Sequence, residues 1–354
     1  MAAMQAAAAS FAAWDTNPAT RELHAALAAG APEAPALAAA FGASLEFGTA
    51  GLRGAMGAGS ARMNEVTVMQ AAQGLVAHVL AAHAPAASGE PPAIVVGYDH
   101  RAQGGLTSRR FALVTAAVCV ARGVRCHLLG ALAATPLVPF GILRLRAAAG
   151  VVVTASHNPK QDNGYKVYWG NGAQIIAPVD GAIAAAMAAH AAPWDGAAYA
   201  AALDGGAGEA ALLAHALVHD PLGALLPAYL AAVAGALCRH RQRNSDAAAP
   251  RPGITYTAMH GVGLRYAAAA FAAFGLPPFT QVQAQVQPDP DFPTVAVRWG
   301  FLLYCAARTS NPSLSLTPPP PLPFLHSPPR GAVPQPRGGR WRAGAGLRGC
   351  RRCQ

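Results

Sequence analysis

The stretch that decides the fold runs from Gly150 to Trp169 and reads "GVVVTASHNPKQDNGYKVYW". Its first residues form an unbroken apolar run, which is typical of a parallel strand that is buried on both faces. The run ends in polar turn residues around Ser156, and the D-N-G triplet that begins at Asp162 predicts a sharp turn into an alternating strand. Ligands of parallel α/β sheets bind beyond the carboxyl ends of the strands, so we expect Ser156 at the mouth of a site.

Strand and helix patterns alternate on the amino-terminal side of this stretch. "AIVVGYD" (93–99) and "VRCHLLG" (124–130) are short apolar runs bounded by turn residues, and a helical pattern lies between them. Asn64 is predicted to cap an earlier helix, and "TPLVPFGILRLRAA" is predicted to start as a helix with Thr135 as its cap and Pro136 at its first position. The β-α-β-α-β order predicts a three-layer α/β/α domain with a mostly parallel sheet.

Composition divides the chain into four predicted parts. Residues 1–40 form a helical segment, residues 41–195 form the α/β domain that carries Ser156, and residues 209–295 form a second α/β domain. Residues 296–354 hold ten prolines, nine arginines and no acidic residue, without helical or strand periodicity. Such a segment buries too little apolar surface to fold, so a disordered tail is predicted.

The charge distribution and the cysteine content indicate which partners and which cellular location to expect. The formal net charge is +10, but the nine arginines of the predicted tail account for all of it except +1. The body of the protein is therefore nearly neutral, and we expect no nucleic-acid partner. No stretch has the length and apolar character of a membrane span, and the first residues do not resemble a leader, which predicts a cytoplasmic protein without a membrane partner. A monomer is also expected. The six cysteines lack metal-site spacing apart from the final C-R-R-C, so reduced thiols are expected.

Lysine is rare in this chain, which has 24 arginines and only two lysines, Lys160 and Lys166. Both lysines follow Ser156 within ten residues. In a chain with so few lysines, each remaining lysine indicates a role that needs an ammonium group with a tunable pKa. Retention by chance is the alternative.

A serine hydrolase is disfavoured by the same stretch. The G-x-S-x-G turn of α/β-hydrolases is missing, because Thr154 and Asn158 stand at its two glycine positions, outside Ala155 and His157. Neighbouring residues rarely face each other well enough for His157 to deprotonate Ser156.

The motif "TASHNP" followed by D-N-G-x-K resembles the phosphoserine loop of the α-D-phosphohexomutase superfamily. "FGTAGLRG", "VVGYDHR", "NGAQI" and "TAMHGVG" resemble its other signatures in the same order, and the resemblance covers Trp14 to Val295. "WDTNPATREL" and "PDPDFPTV" are similar to the phosphoglucomutase/phosphopentomutase branch, which includes glucose-1,6-bisphosphate synthase. The resemblance implies a phosphosugar mutase of carbohydrate metabolism. Such an enzyme moves a phosphoryl group between C1 and C6 (or C5) of an aldose phosphate through a phosphoserine and a bisphosphate intermediate.

The resemblance also implies roles for individual residues. Ser156 would carry the phosphoryl group, Lys166 would act as general acid or base, Arg53 would contact the serine loop, and His157 would support the phosphoserine and the sugar hydroxyls. Substrate or phosphate contacts are implied for four further residues, namely Gly51, Asn158, Lys160 and Arg101. For Arg101, a salt bridge with Asp99 that braces the loop is the alternative.

The implied ligands are Mg²⁺, held in part by the phosphate on Ser156, and glucose 1,6-bisphosphate as activator. The implied substrates are glucose 1-phosphate and glucose 6-phosphate, or ribose and deoxyribose 1-phosphate.

The chain departs from the family pattern near its end. The metal-binding loop D-x-D-x-D-R is missing, and only Asp289 and Asp291 superficially resemble it. The second domain is therefore expected to be incomplete, and the family's third and fourth domains are expected to be missing. The loss of pattern after Val295 is similar to a translated intron or frameshift in a gene model. The prediction is a C-terminally truncated mutase with little or no turnover, and the alternative is an inactive fragment that only binds sugar phosphate or a partner.

Overall fold

The alternating apolar runs and helical patterns fold into a sheet covered by helices on both faces. The computed structural model describes residues 1–30, 34–48, 51–83, 89–246 and 253–295, so the predicted tail lies outside the described residues. The strands are β1 (Leu52–Ala55), β2 (Ala93–Tyr98), β3 (Ala102–Gln103), β4 (Leu106–Thr107), β5 (Arg125–Leu128), β6 (Ala149–Val153), β7 (Asp162–Trp169), β8 (Val218–His219), β9 (Thr255–Tyr256) and β10 (Thr280–Gln281).

The helices are α1 (Ala2–Trp14), α2 (Pro18–Ala28), α3 (Ala34–Phe41), α4 (Glu65–Ala82), α5 (Ser108–Ala121), α6 (Leu137–Leu145), α7 (Val179–Ala189), α8 (Gly196–Ala202), α9 (Gly206–Leu213), α10 (Leu222–Leu237), α11 (Arg241–Ser245) and α12 (Gly263–Ala273). A 3₁₀ turn covers Gln283–Gln285.

The main sheet has six strands in the order β1-β7-β6-β2-β5-β8. The strands β6, β2, β5 and β8 run parallel to one another, whereas β7 runs antiparallel to both β6 and β1. The carboxyl ends of the parallel strands therefore meet at one edge, and β7 brings the chain back along β6 from that edge.

Alternation along β2 shows how the three layers form. Ile94 and Val96 pack into a core that includes residues of α4 and α5, whereas Val95 packs against α6 and α10 on the opposite face. A strand buried on both faces must be apolar at successive positions, which explains its continuous apolar sequence. The predicted three-layer, mostly parallel α/β/α fold is confirmed.

One of the two predicted helix caps is confirmed and the other is wrong. Asn64 caps α4 by accepting a hydrogen bond from the Thr67 amide, and the Thr67 hydroxyl accepts one from the Asn64 amide, forming a capping box. Thr135 does not cap α6, because Pro136 occupies the N-cap position and no side chain caps the helix. A hydrogen bond from the Val138 amide to the Thr135 carbonyl turns the chain before the helix begins.

The predicted turn at D-N-G is also wrong. Asp162 to Gly164 are the first three residues of β7 and pair with residues 53–55 of β1. The chain turns earlier, where the Asn158 amide donates to the Ala155 carbonyl and the Asp162 amide donates to the Pro159 carbonyl. Pairing with β1, about a hundred positions away in the sequence, holds the triplet extended.

The predicted domain boundaries stay predictions. Residues 1–40 contribute helices, as the sequence suggests, and α3 ends at Phe41. Residues from 209 onward first complete the main sheet, because β8 pairs with β5. After them come α10, which contacts α6, and a small parallel β9-β10 pair with α12. Across the described ranges, we find no helix with both the length and the apolar character needed to cross a bilayer.

Candidate active site

The serine loop, defined as residues 154–161, joins β6 to β7 at the carboxyl edge of the sheet. Ser156 is exposed there, and its backbone lies in the left-handed region with φ of 57°. Residues other than glycine seldom adopt this conformation, and such positions concentrate at functional sites. The Ser156 amide donates to the Thr154 hydroxyl at 3.0 Å, which helps to hold the conformation. The predicted placement of Ser156 at the mouth of the sheet therefore agrees with the geometry.

Strand register places Lys166 and Arg53 on one face of the sheet. Arg53 of β1 lies opposite Gly164 of β7, and Lys166 follows Gly164 by two positions. Residues two apart on a strand point to the same face, as do residues paired directly across strands. The two cationic side chains are therefore diagonal neighbours beside the serine loop.

The environment of Lys166 favours its neutral amine. Burial lowers the pKa of Lys166, and the positive charges of Arg53 and Arg101 lower it further, while Asp99 acts in the opposite direction. A half-buried ammonium loses part of its hydration, so the proton leaves at lower pH than from an exposed lysine. Lys166 is one of only two lysines in the sequence. Its lowered pKa is a property that an arginine at this position would not provide.

Gly51 allows the close approach of β1 to β7 beside Lys166. Its φ is 78°, and a Cβ atom at this position would lie 1.9 Å from the Tyr165 carbonyl oxygen. A side chain cannot fit there without moving one of the two strands. The structure therefore gives Gly51 a steric role, and its predicted phosphate contact stays a prediction.

Asn158 connects Arg53 to the serine loop. Its Oδ1 accepts a hydrogen bond from Arg53 Nη1 at 3.3 Å, and its Nδ2 donates to Asp162 Oδ2 at 2.9 Å.

Lys160 lies on the same loop, but its Nζ forms an ion pair with Asp291 Oδ1 at 2.9 Å. His157 is exposed next to Ser156.

Arg101 lies beneath the serine loop and is only 2% exposed. Its two Nη atoms donate to four backbone carbonyl oxygens at 2.7–2.9 Å, those of Ser156, Asn158, Pro159 and Asp162. Arg101 Nε lies 3.4 Å from Asp99 Oδ2. Because each Nη carries two hydrogens, all four are used by the backbone. The geometry favours the bracing alternative for Arg101 and leaves no Nη donor for a phosphate.

Two residues that support this arrangement were not identified from the sequence. Ser108 donates to Asp99 Oδ1 at 2.6 Å and accepts a hydrogen bond from Asn163 Nδ2 at 2.9 Å. Ser108 and Asn163 are both buried, and they connect Asp99 to the start of β7. Neither residue stands in a pattern that indicates this contact, since Asn163 belongs to the triplet that suggested a turn.

The described residues do not provide a complete site for the implied Mg²⁺. Within the described ranges, no three histidine, cysteine or acidic side chains come together as a ligand set. Asp291 Oδ1 is paired with Lys160, and Asp289 Oδ1 accepts a hydrogen bond from the Asp291 amide at 2.8 Å. Because Mg²⁺ prefers several oxygen ligands in octahedral geometry, these two carboxylates do not fit it.

Comparison with known proteins agrees with this geometry. Residues 44–193 match the family model described as phosphoglucomutase/phosphomannomutase, alpha/beta/alpha domain I. These residues belong to that family. Domain I thus contains the whole serine loop, Arg53, Arg101 and Lys166. A solved structure of a putative phosphomannomutase from Thermus thermophilus covers 72% of this chain with a TM-score of 0.52 and 25% identity, and 48% of that protein is covered.

Curated relatives extend the similarity beyond domain I. Mouse phosphopentomutase is 39% identical over 285 residues, which covers 80% of this chain and 43% of that relative. Human glucose 1,6-bisphosphate synthase is 39% identical over 253 residues, covering 71% of this chain and 38% of the relative. Phosphoribomutase of Saccharomyces cerevisiae is 38% identical over 262 residues, which covers 72% of this chain and 40% of that relative. The chain therefore spans about two fifths of the length of these relatives.

Proposed function

We propose that this chain acts in phosphoryl transfer on sugar phosphates, with Ser156 as the residue that carries the phosphoryl group. The observation that carries the proposal is the placement of Ser156. Ser156 is exposed at the carboxyl edge of a parallel sheet, Arg53 contacts Asn158 of the same loop, and Lys166 lies on the same face of the sheet as Arg53. Membership of the phosphoglucomutase/phosphomannomutase family supports the same reaction class.

The charges around the serine loop suit a phosphoryl group. A phosphoserine carries about −1.5 to −2 charges at neutral pH. Arg53 is exposed beside the loop and hydrogen bonds to Asn158, so the rest of its guanidinium is available for phosphate oxygens. A guanidinium offers paired donors that match two phosphate oxygens.

The proposed reaction has two transfers. In the first, a hydroxyl oxygen of a sugar monophosphate forms a bond to the phosphorus on Ser156, the bond between that phosphorus and Ser156 Oγ breaks, and the released Ser156 Oγ takes up a proton from water. The sugar hydroxyl proton moves to the amine of Lys166, because a lowered pKa increases the fraction of this side chain in its basic form. In the second, Ser156 Oγ gives its proton to water and forms a bond to the other phosphorus of the bisphosphate. The bond from that phosphorus to the sugar oxygen breaks, and Lys166 returns a proton to the departing oxygen. The net change is the movement of one phosphate between two sugar positions.

The backbone braced by Arg101 would keep Ser156 in place through both transfers. Catalysis of phosphoryl transfer depends mainly on positioning and on charge stabilisation. We propose Arg101 as a positioning residue, because its Nη donors hold four loop carbonyls. His157 is proposed to contact the phosphoserine or the sugar from its exposed position beside Ser156.

We propose sugar monophosphates as substrates and glucose 1,6-bisphosphate as the activating phosphoryl donor. The names of the relatives include phosphopentomutase, phosphoribomutase and glucose 1,6-bisphosphate synthase, so pentose and hexose phosphates are both candidate substrates. The cytoplasm is the proposed location.

Transfer of labelled phosphate from glucose 1,6-bisphosphate to the protein tests this proposal. The full chain should gain label, and Ser156→Ala should abolish it. Ser10→Ala is the matched control, because Ser10 is on α1 with its hydroxyl bonded to the Ala6 carbonyl. Label that persists in Ser156→Ala would contradict the proposal. Binding of the bisphosphate, seen as a thermal shift without label transfer, would instead support the binding-only alternative.

A further inference from the structure

A segment far from domain I in the sequence lies on the serine loop. This segment, residues 287–295 ("QPDPDFPTV"), is called the clasp below. Asp291 pairs with Lys160, and the Asp289 carbonyl oxygen lies 3.2 Å from His100 Nε2. The Phe292 ring centroid lies 5.4 Å from the guanidinium carbon of Arg101 and 5.1 Å from the His100 ring centroid.

The clasp is a hydrogen-bonded turn with its own anchor. The Phe292 amide donates to the Asp289 carbonyl at 3.2 Å, and Phe292 has a φ of 49°. His260, only 5% exposed, holds both ends of the turn. Its carbonyl accepts a hydrogen bond from the Asp289 amide at 3.0 Å, and its Nε2 lies 2.9 Å from Thr294 Oγ1. The position of Phe292 is therefore set by the hydrogen bonds of this turn with His260, a buried residue that precedes α12.

Phe292 places an aromatic ring near the group that braces the serine loop. A cation near the face of an aromatic ring is attracted by the ring's quadrupole, and the attraction grows as water is removed. The ring also excludes water from one side of the guanidinium, and hydrogen bonds are stronger in a drier setting. Both effects favour the four hydrogen bonds that Arg101 donates to the loop carbonyls.

We propose that Phe292 is a positioning residue for Ser156 and that it acts through Arg101. The serine loop then depends on a segment outside domain I for its geometry. The Asp291–Lys160 pair contributes little to this effect, because both side chains are largely exposed and exposed ion pairs are weak. That Ser156 carries a phosphoryl group rests on the proposed function, whereas the structural effect on the loop does not.

Hydrogen exchange of the full chain tests the structural effect. The amides of Asn158 and Asp162 are hydrogen bonded within the turn and report on its opening. Phe292→Ala should accelerate exchange of the peptide that spans residues 154–162 by about tenfold, while peptides from α5 stay unchanged. Phe292→Tyr should restore slow exchange, because it keeps the aromatic face.

Asp291→Asn is the matched control in the same turn. It removes the ion pair but retains Phe292 and the backbone hydrogen bonds, so loop exchange should stay within about twofold of the unmodified chain. Unchanged loop exchange in Phe292→Ala would overturn the proposal. An equal acceleration in Asp291→Asn would also overturn it, because the ion pair and not the ring would then hold the loop.

Phosphate uptake separates this proposal from the proposed function. If the unmodified chain accepts phosphate at Ser156, Phe292→Ala should slow uptake and Phe292→Tyr should restore it. A normal uptake rate in Phe292→Ala would contradict positioning of Ser156. If the unmodified chain accepts no phosphate, the proposed function fails, and the exchange measurements still decide whether the clasp orders the loop.

Discussion

Arg101 Nη2 donates a hydrogen bond to the carbonyl oxygen of Ser156 at 2.9 Å, from a position that is almost completely buried. The arginine thus holds the backbone of the serine without contacting its hydroxyl. This separates two tasks that the sequence motif alone does not distinguish. Arg53 and Lys166 are the residues that we propose to interact with a reacting group, whereas Arg101 holds the backbone of the loop that carries Ser156.

Arg101→Lys should loosen the serine loop, because one ammonium cannot replace a planar fork that bonds four carbonyls. Carbonyls left unpaired in a buried setting destabilise the fold, so we expect the free energy of unfolding to fall by about 1–3 kcal/mol. Urea unfolding measures this change. Arg144→Lys, at an exposed position of α6, is the control and should be neutral. Equal stability of the two variants would show that the Arg101 hydrogen bonds contribute nothing.

Transfer from phosphorylated Ser156 to a sugar hydroxyl should become faster as the pH rises. The pKa of Lys166 is lowered by burial and by Arg53, so its basic form increases at lower pH than for an ordinary lysine. Lys166→Arg should remove this rise and slow transfer by about 10²–10⁴-fold, since a guanidinium stays protonated. Single-turnover rates across pH provide the measurement. A pH profile identical in the variant would assign the base to another group.

Gly51→Ala should destabilise the fold by about 1–3 kcal/mol, because the left-handed backbone is strained with a side chain. The new Cβ would also overlap the Tyr165 carbonyl, at 1.9 Å. Gly48→Ala is a matched control three positions earlier, since a Cβ there meets nothing within 4 Å. Urea unfolding of both variants measures the difference. A Gly51→Ala variant as stable as Gly48→Ala would mean that β1 does not approach β7 as described.

Stability should fall as the pH drops from about 6.5 towards 4, and His127 should contribute to this loss. Burial, His219 and Arg125 lower the pKa of His127 to about 4. In that interval the unfolded chain binds a proton at His127 that the folded chain does not, so acid favours unfolding. Replacing His127 with Gln should flatten the dependence of unfolding free energy on pH. An unchanged slope between pH 4 and 6.5 would contradict the lowered pKa.

The sequence predicts the parts of this structure that depend on local pattern. The strands β2, β5 and β6 follow from apolar runs, and the Asn64 cap follows from its position before a helical pattern. The features that it does not predict depend on partners distant in the chain. The D-N-G triplet is extended because β1 pairs with it, and Arg101 is occupied by carbonyls about 55 to 61 positions away. Hydrogen bonds to backbone carbonyl oxygens cannot be predicted from the pattern of side chains, because every residue has such a carbonyl.

The same reasoning applies to the clasp. Asp289 and Asp291 suggest a fragment of a metal site when only their spacing is considered. In the structure, one carboxylate pairs with Lys160 and the other accepts an amide within its own turn. Their surroundings, which the sequence does not show, decide between a metal ligand and a structural turn.

Mapping of phosphate within one peptide tests the central claim most directly. Trypsin releases residues 147–160, which contain Thr154 and His157 as well as Ser156. After the full chain is incubated with glucose 1,6-bisphosphate, fragmentation mass spectrometry should place one phosphoryl group on Ser156. Modification of Thr154 or His157 in its place, or an unmodified peptide from a chain that binds the bisphosphate, would contradict the account.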